Sequence, residues 1–162
     1  MRPSWIITTA LVTIASVAIG SGTGASAKNN KTKHFSCALQ LFQQGPLQGT
    51  PPTGISFGFV SCPAPFGNGV HFGSATVTPT SPGHGTVAVK IKNYFNRGTT
   101  RGTVAFTFVA TTPTDLTYTG TVTYTGGTGR FKRVKGSGPI VCTSSDGGAH
   151  KACKVKLTLK GI

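Results

Sequence analysis

The feature that most constrains the fold of this chain is a strict alternation of apolar and polar side chains in several short segments. In residues 103–111 one face carries Val104, Phe106, Phe108 and Ala110, and the other carries Thr103, Thr107 and Thr111. Residues 154–160 alternate lysines or threonine with valine and leucines. A period of two residues is that of a β-strand with one packed face and one wet face. An antiparallel sheet of such strands must close on itself or pair with a second sheet to bury its apolar face. The alternation therefore predicts a barrel or a sandwich.

Clusters of Gly, Pro, Asn and Ser separate eight such segments, which is typical of an all-β domain. The predicted strands cover residues 35–42, 55–62, 70–78, 85–95, 102–111, 117–125, 137–143 and 152–160. Composition agrees, because Glu is absent and only 11% of the residues are charged, which excludes a long charged helical bundle. Hydrophobic residues make up 37% of the 162, enough for the core of one domain.

The N-terminal segment has the three parts of a secretory signal peptide. A positive charge at Arg2 precedes an apolar run at residues 5–19, and Ala25-Ser26-Ala27 offers a cleavage site. The apolar run is shorter than the roughly 20 residues that a membrane-spanning helix needs. We therefore expect a secreted, extracellular protein with no transmembrane segment in the mature chain. The predicted division is a signal peptide at 1–27, a flexible basic arm at 28–34 and a β-barrel domain at 35–162.

Export changes how the four cysteines are interpreted, because an even number in an oxidising compartment indicates disulfides. Three pairings are possible. We favour Cys37 with Cys62 and Cys142 with Cys153, because each pair flanks a turn-rich segment and neighbouring strands bring side chains within bridging reach. His150 and Cys153 form an isolated H-x-x-C, for which a disulfide is favoured over zinc. No metal and no cofactor are expected.

One segment resembles a known family. Residues 123–131, Thr-Tyr-Thr-Gly-Gly-Thr-Gly-Arg-Phe, and the basic G-x-G continuation at 132–138 are similar to a turn and strand restart of the allene oxide cyclase-like barrels. That superfamily includes plant dirigent proteins and secreted bacterial proteins. The resemblance implies a single antiparallel eight-stranded β-barrel, with Phe131 filling the barrel near one end. The same residues agree with this interpretation, because Gly126, Gly127 and Gly129 permit a tight backbone turn.

The resemblance also implies a cyclase- or dirigent-like enzyme as one alternative, but it transfers no catalytic residue. Enzymes of the superfamily use acidic groups inside the cavity, whereas this chain has no Glu, and Asp115 and Asp146 look like turn residues. His71 is the histidine expected to face a core or cavity, and a structural role is favoured for it. A buried His71 bonded to Asp115 in an open cavity would favour an enzyme. We expect a non-catalytic protein.

The leading functional prediction is binding of a small apolar or aromatic ligand inside the barrel. An eight-stranded barrel is just wide enough to be filled by side chains or to hold one small ligand, and a filled core remains the alternative. The candidate cavity residues are Phe57, Phe59, Phe72, Phe106, Phe108, Tyr118, Tyr124 and Phe131.

The alternative function is adhesion to anionic envelope polymers. The formal net charge is +14, and loss of Arg2 with the signal peptide leaves +13. Such a field concentrates polyanions near the surface, although high charge also simply keeps a protein soluble. The candidate polyanion-binding residues crowd one turn and are Arg130, Lys132, Arg133 and Lys135. No specific nucleic-acid binding is expected, and the sequence predicts no particular oligomeric state.

Overall fold

The computed structural model describes residues 31–162, which form one closed, antiparallel, eight-stranded β-barrel. The predicted fold class is thus confirmed. The strands are β1 (Lys33–Gln48), β2 (Thr53–Cys62), β3 (Gly67–Ser81), β4 (His84–Phe95), β5 (Gly98–Ala110), β6 (Leu116–Gly127), β7 (Lys135–Ser144) and β8 (His150–Lys160). A single 3-10 turn, Gly129–Phe131, lies between β6 and β7. Within the described residues no helix is long and apolar enough to cross a membrane.

Each strand pairs with the next along the chain, and β1 pairs with β8 to close the barrel. This closing seam runs from Lys33 opposite Leu159 to Phe42 opposite His150. Closure leaves no unpaired sheet edge. Because Lys33 and His34 already belong to β1, the arm predicted at 28–34 ends earlier than expected. The predicted signal peptide and the rest of the arm lie outside the described residues.

The alternation observed in the sequence places one side-chain set inside the barrel and the other outside. Val104, Val122 and Leu157 are buried, whereas the lysines that alternate with the inward residues of β4 and β8 are exposed. Because the two sets differ in polarity, a slip of one residue would exchange the faces and expose the core.

In β2 the inward-facing residues are the small ones, so the prediction that Phe57 and Phe59 line the cavity is wrong. These two residues, and Phe72 on β3, lie on the outer face, while Gly58 and Val60 point inward. A Cβ on Gly58 would collide with a backbone carbonyl of β1, so no larger side chain fits at that inward position. The close approach of the two strands thus decides which face the phenylalanines take.

Both favoured disulfides are confirmed. Cys37 bonds to Cys62 across β1 and β2, and Cys142 bonds to Cys153 across β7 and β8, with Cα atoms 4.3 Å and 4.0 Å apart. The bridges flank the closing seam on both sides and tie each seam strand to its other neighbour. Because Cys153 is bonded to Cys142, the H-x-x-C segment has no free thiolate with which to bind zinc.

The two ends of the barrel differ. At the closed end, where β1 begins and β8 ends, a phenylalanine cluster fills the interior. Phe131, fully buried, stacks on Phe66 with 4.7 Å between ring centroids, and its ring meets Phe95 edge-on at 5.6 Å. Phe35 meets Phe66 edge-on at 5.2 Å. The expected position of Phe131 near one end is therefore observed. At the open end, where β1 ends and β8 begins, Phe106, Phe108 and Tyr118 line the wall and leave the interior open.

Candidate functional site

The barrel holds a cavity of about 370 Å³ that extends from the open end to the middle of the interior. That volume lies within the range of small-molecule pockets. The walls are mainly aliphatic and aromatic side chains that point inward from all eight strands, and four of the eight predicted cavity aromatics are among them. Those four are Phe106, Phe108, Tyr118 and Tyr124.

The other four predicted cavity residues are elsewhere. Phe131 belongs to the phenylalanine cluster of the closed end, and Phe57, Phe59 and Phe72 lie on the outer face with 45 to 65% of their surface exposed. The interior is therefore partly filled and partly open, so each of the two alternatives left by the sequence holds for one half of the barrel.

A buried polar network forms the boundary between the cavity and the closed end. The amide of Asn93 donates from Nδ2 to Tyr124 Oη at 2.9 Å and to Thr100 Oγ1 at 3.2 Å. Its Oδ1 lies 2.8 Å from Nδ1 of His71. His71, Asn93 and Thr100 are all buried, and burial raises the pKa of Tyr124 to about 12, so its hydroxyl keeps its proton.

This network fixes the tautomer of His71. The carbonyl oxygen of Asn93 can only accept a hydrogen bond, so the proton of the neutral imidazole is on Nδ1. Desolvation lowers the pKa of His71 and outweighs the opposing effect of Asn93, which favours the neutral ring at neutral pH. Nε2 therefore carries a free lone pair and is a hydrogen-bond acceptor.

His71 Nε2 is buried and has no hydrogen-bond partner among the described residues. Its ring lines the cavity, and a Cβ added to Gly73 would lie 3.0 Å from it. An unpaired buried polar atom costs roughly 1–3 kcal/mol, so such an atom in a native structure calls for a partner. The same Cβ would lie 2.8 Å from Ser56 Oγ and 3.1 Å from Val89, so a side chain at Gly73 would crowd the cavity wall beside Nε2.

At the cavity mouth stands a lysine. Lys151 is half-buried, lines the cavity, donates to the carbonyl of Gly148 and lies 5.6 Å from the centre of the Tyr118 ring. Desolvation lowers the pKa of Lys151, and the charge of Asp146 opposes this effect. The other lysines of β8 point outward, so Lys151 is the cation that this strand directs towards the interior.

Both aspartates occupy turns at the open end, as the sequence predicted. Asp115 is exposed and accepts a hydrogen bond from Thr112 Oγ1 at 2.7 Å. Asp146 accepts bonds from Ser144 Oγ and the His150 backbone N–H, which lower its pKa. His71 is bonded to Asn93 and not to Asp115, so the arrangement that would have favoured an enzyme is not the one observed.

Sequence reasoning identified His71 but missed Asn93, Thr100 and Lys151. A signal was present in two of these positions. In β4, Asn93 follows Val87, Val89 and Ile91 at the inward spacing, and in β8 Lys151 precedes Cys153 and Val155 in the same way. A polar residue at an inward position of a strand needs a partner inside the barrel.

The four predicted polyanion-binding residues are exposed and lie together around the 3-10 turn of the closed end. Arg97 joins them, since its carbonyl accepts the backbone N–H of Arg130 at 2.9 Å. Lys160 is opposite Lys135 at the same end. The described cations therefore concentrate at the end of the barrel that lies away from both aspartates and from the cavity mouth.

The class that fold and site define is a disulfide-linked, antiparallel eight-stranded barrel with an apolar interior pocket and one imidazole acceptor in its wall. No protein-family model matches the chain, and no curated protein matches it. Among solved structures, the chain is similar to a protein described as pyocyanin demethylase, at 16% identity and a TM-score of 0.42. That match covers 79% of this chain and 100% of the other. A likeness of this degree assigns neither a family nor an activity.

Proposed function

We propose that the barrel binds a small, mainly apolar or aromatic molecule that carries a hydrogen-bond donor. The observation behind this proposal is the unpartnered Nε2 of His71 in the wall of a mainly apolar cavity. A ligand hydroxyl or ring N–H at that point satisfies the buried acceptor, and the apolar walls take up the rest of the molecule.

The cavity also favours one orientation of the ligand. The donor of the ligand reaches inward to His71, and the opposite end of the molecule lies near the ammonium of Lys151 at the mouth. Phe106 and Tyr118 meet edge-on, with 6.0 Å between ring centroids, and offer a ring surface between the two polar points. A planar aromatic ligand fits this arrangement best.

The test is a comparison of two ligands of similar shape, 1-naphthol and 1-methylnaphthalene, titrated calorimetrically. We expect 1-naphthol to bind more tightly, because its hydroxyl donates to His71 Nε2, with a preference of roughly tenfold for one buried hydrogen bond. In His71→Phe, which keeps a ring of similar size, that preference should disappear. The matched control Phe108→Leu changes the wall without touching His71 and should weaken both ligands alike.

Two results would overturn this proposal. One is the absence of saturable binding for both ligands, and the other is an equal preference for 1-naphthol in the wild type and in His71→Phe. A thermal unfolding curve of each variant shows whether the barrel is intact before the titration.

We also propose that the protein works outside the cytoplasm, in line with its two disulfides, and that it belongs with the allene oxide cyclase-like barrels. The second candidate function is adhesion to envelope polyanions through the closed end. The separation of the basic cluster from both aspartates favours it, because the field at that end is not offset. Binding of the wild type to polyphosphate should weaken as the salt concentration rises. At a fixed salt concentration, Arg130→Gln/Arg133→Gln should bind polyphosphate more weakly than Lys154→Gln/Lys156→Gln.

A further inference from the structure

The outer face of β1–β4 carries a continuous row of aromatic side chains. Phe42 is opposite Phe57, and Phe57 is opposite Phe72. The Phe42 and Phe57 rings lie 5.9 Å apart. The adjacent outward row contains Phe59, Val70 and Tyr94, which follow one another across β2, β3 and β4. We call these six residues the aromatic stripe.

The stripe is exposed and not scattered. Its members are between 37 and 65% exposed, and they are six of the ten exposed large hydrophobic residues of the described chain. Strands about 4.8 Å apart make the stripe roughly 14 Å wide across four strands. Isolated exposed apolar residues are ordinary, but a contiguous group of this size marks a surface that contacts something.

Basic residues border the stripe. Lys92 is opposite Phe72, stands 4.9 Å from the centre of the Tyr94 ring and is followed on β5 by Arg101. On the other side the row ends at His150, which stacks on Phe42 at 4.8 Å, and Lys154 points outward from β8 opposite Ala38. Asp146 lies in the turn that precedes β8, where its carboxylate accepts hydrogen bonds from Ser144 Oγ and the His150 backbone N–H.

We propose that the aromatic stripe docks on the surface of an anionic lipid bilayer. Aromatic rings gain favourable free energy when they are buried in the interfacial region of a bilayer. The lysines and the arginine beside them attract the anionic head groups. The charge pattern argues against a second copy of this chain, because both aspartates lie in turns at the open end and a second stripe offers these cations no counter-charge. A soluble polyanion would neutralise the cations but leave the six apolar side chains in water.

Docking through the side wall leaves both barrel ends free. The cavity mouth lies at the open end, and the phenylalanine cluster seals the other. Bilayer docking through the stripe is thus independent of ligand binding in the cavity, and either proposal can fail without the other.

The experiment uses residues 28–162, which keep all eight strands and both disulfides and lack the apolar run at 5–19. Co-sedimentation is measured with phosphatidylglycerol/phosphatidylcholine vesicles and with phosphatidylcholine alone. The test variant is Phe57→Thr/Phe59→Thr/Phe72→Thr. The matched control is Val109→Thr/Val141→Thr, two residues exposed to 41% and 46% outside the stripe. Soluble polyphosphate is the second ligand, and sedimentation velocity reports self-association.

We expect wild type and control to bind anionic vesicles alike, and the triple variant to bind at least about tenfold more weakly, since each phenylalanine contributes apolar burial. Polyphosphate binding should be unchanged in the triple variant. Trp5 is the sole tryptophan of the chain and is absent from 28–162, so Phe57→Trp serves as a reporter. Its fluorescence should shift to shorter wavelength with anionic vesicles and not with polyphosphate.

Equal vesicle binding by the triple variant and the control would overturn the proposal, as would no vesicle binding by the wild type. A concentration-dependent dimer that the triple substitution abolishes, without vesicle binding, would assign the stripe to a second copy instead. Near-identical unfolding temperatures are expected for all variants, because the changed side chains lie on the outer face.

Discussion

The closed and open ends of the barrel are built by the same eight strands with the same alternation, yet one is solid and the other hollow. The difference comes from the connections. At the closed end the β2–β3 turn supplies Phe66 and the 3-10 turn supplies Phe131, and both rings enter the barrel axis. At the open end the β5–β6 and β7–β8 connections carry Thr, Ser, Gly and Asp, which bond to one another at the rim. The strands form the wall of the barrel, and the residues of the turns determine whether the interior at each end is filled.

Between the two ends lies the polar network of His71, Asn93, Thr100 and Tyr124. Hydrogen bonds satisfy the network on the closed side, whereas His71 Nε2 on the cavity side has no partner within the described chain. Side-chain packing therefore dominates the closed end, whereas the open end leaves one buried hydrogen-bond acceptor without a partner in the described chain.

The largest effect is expected at the closed end. Phe131→Ala removes a fully buried ring from the phenylalanine cluster and should lower the free energy of unfolding by about 3–5 kcal/mol. The matched substitution Phe108→Ala removes the same atoms beside an existing cavity and should cost about half as much. Chemical denaturation of both variants measures the difference. Equal losses would mean that the two ends are packed alike.

Removal of the disulfides should come next. Cys37–Cys62 closes a loop with a sequence separation of 25 and Cys142–Cys153 one of 11. Chain entropy then gives about 3.5 and about 2.8 kcal/mol respectively. Paired Cys→Ala variants, unfolded in denaturant, test the order. A larger loss for the Cys142–Cys153 pair, which lines the cavity through Cys142, would contradict the entropic account.

The polar network should matter less than either. Asn93→Leu leaves His71 Nδ1 and the Tyr124 hydroxyl without their shared partner, and we expect a loss of about 2–3 kcal/mol. The ring of His71 then loses its orientation, so the preference for 1-naphthol over 1-methylnaphthalene should also fall. Thr107→Val, which removes an exposed hydroxyl bond to Thr119, is the control and should change stability by less than about 1 kcal/mol.

A smaller effect is expected from pH. Because burial lowers the pKa of His71 in the folded state, the unfolded chain binds a proton first as the pH falls through the ordinary histidine pKa of 6.5. This contribution to stability is therefore complete above that pH and decreases below it, down to the folded pKa, by at most about 1.4 kcal/mol per pH unit. The difference between wild type and His71→Phe across pH 4 to 8 isolates it. If the wild type gains stability relative to the variant on acidification, the lowered pKa of His71 in the folded state is refuted.

The smallest effect on stability is expected at the mouth. Lys151→Met removes the ammonium that donates to the Gly148 carbonyl and lies 5.6 Å from the centre of the Tyr118 ring, and it should lower the free energy of unfolding by about 1 kcal/mol or less. It should nevertheless weaken 1-naphthoate relative to 1-naphthol, since the carboxylate loses its cation. Outward Lys156→Met is the control. Equal effects of the two substitutions on 1-naphthoate binding would show that only the overall charge of the protein acts.

Much of the fold could be predicted from the sequence, because it depends on local patterns. Alternation and turn residues gave all eight strands, and the spacing of the cysteines favoured the pairing that the structure has. The position of Phe131 near one end is what the resemblance of residues 123–138 to the allene oxide cyclase-like barrels implied. For the strands and the disulfides, the decisive interaction is with near neighbours in the chain or with the adjacent strand.

Tertiary structure decided what lies inside. Apolar alternation in β2 is equally consistent with either face, and only the collision that a side chain at Gly58 would meet on β1 places Phe57 and Phe59 outside. The hydrogen-bond partner of His71 is Asn93, which is 22 residues away in the chain and lies on the neighbouring strand. Thr100 and Tyr124, on two further strands, accept hydrogen bonds from the Asn93 amide and so orient it. A sequence determines polarity along each strand, but closure of the barrel determines which side chains meet, because that depends on register between strands.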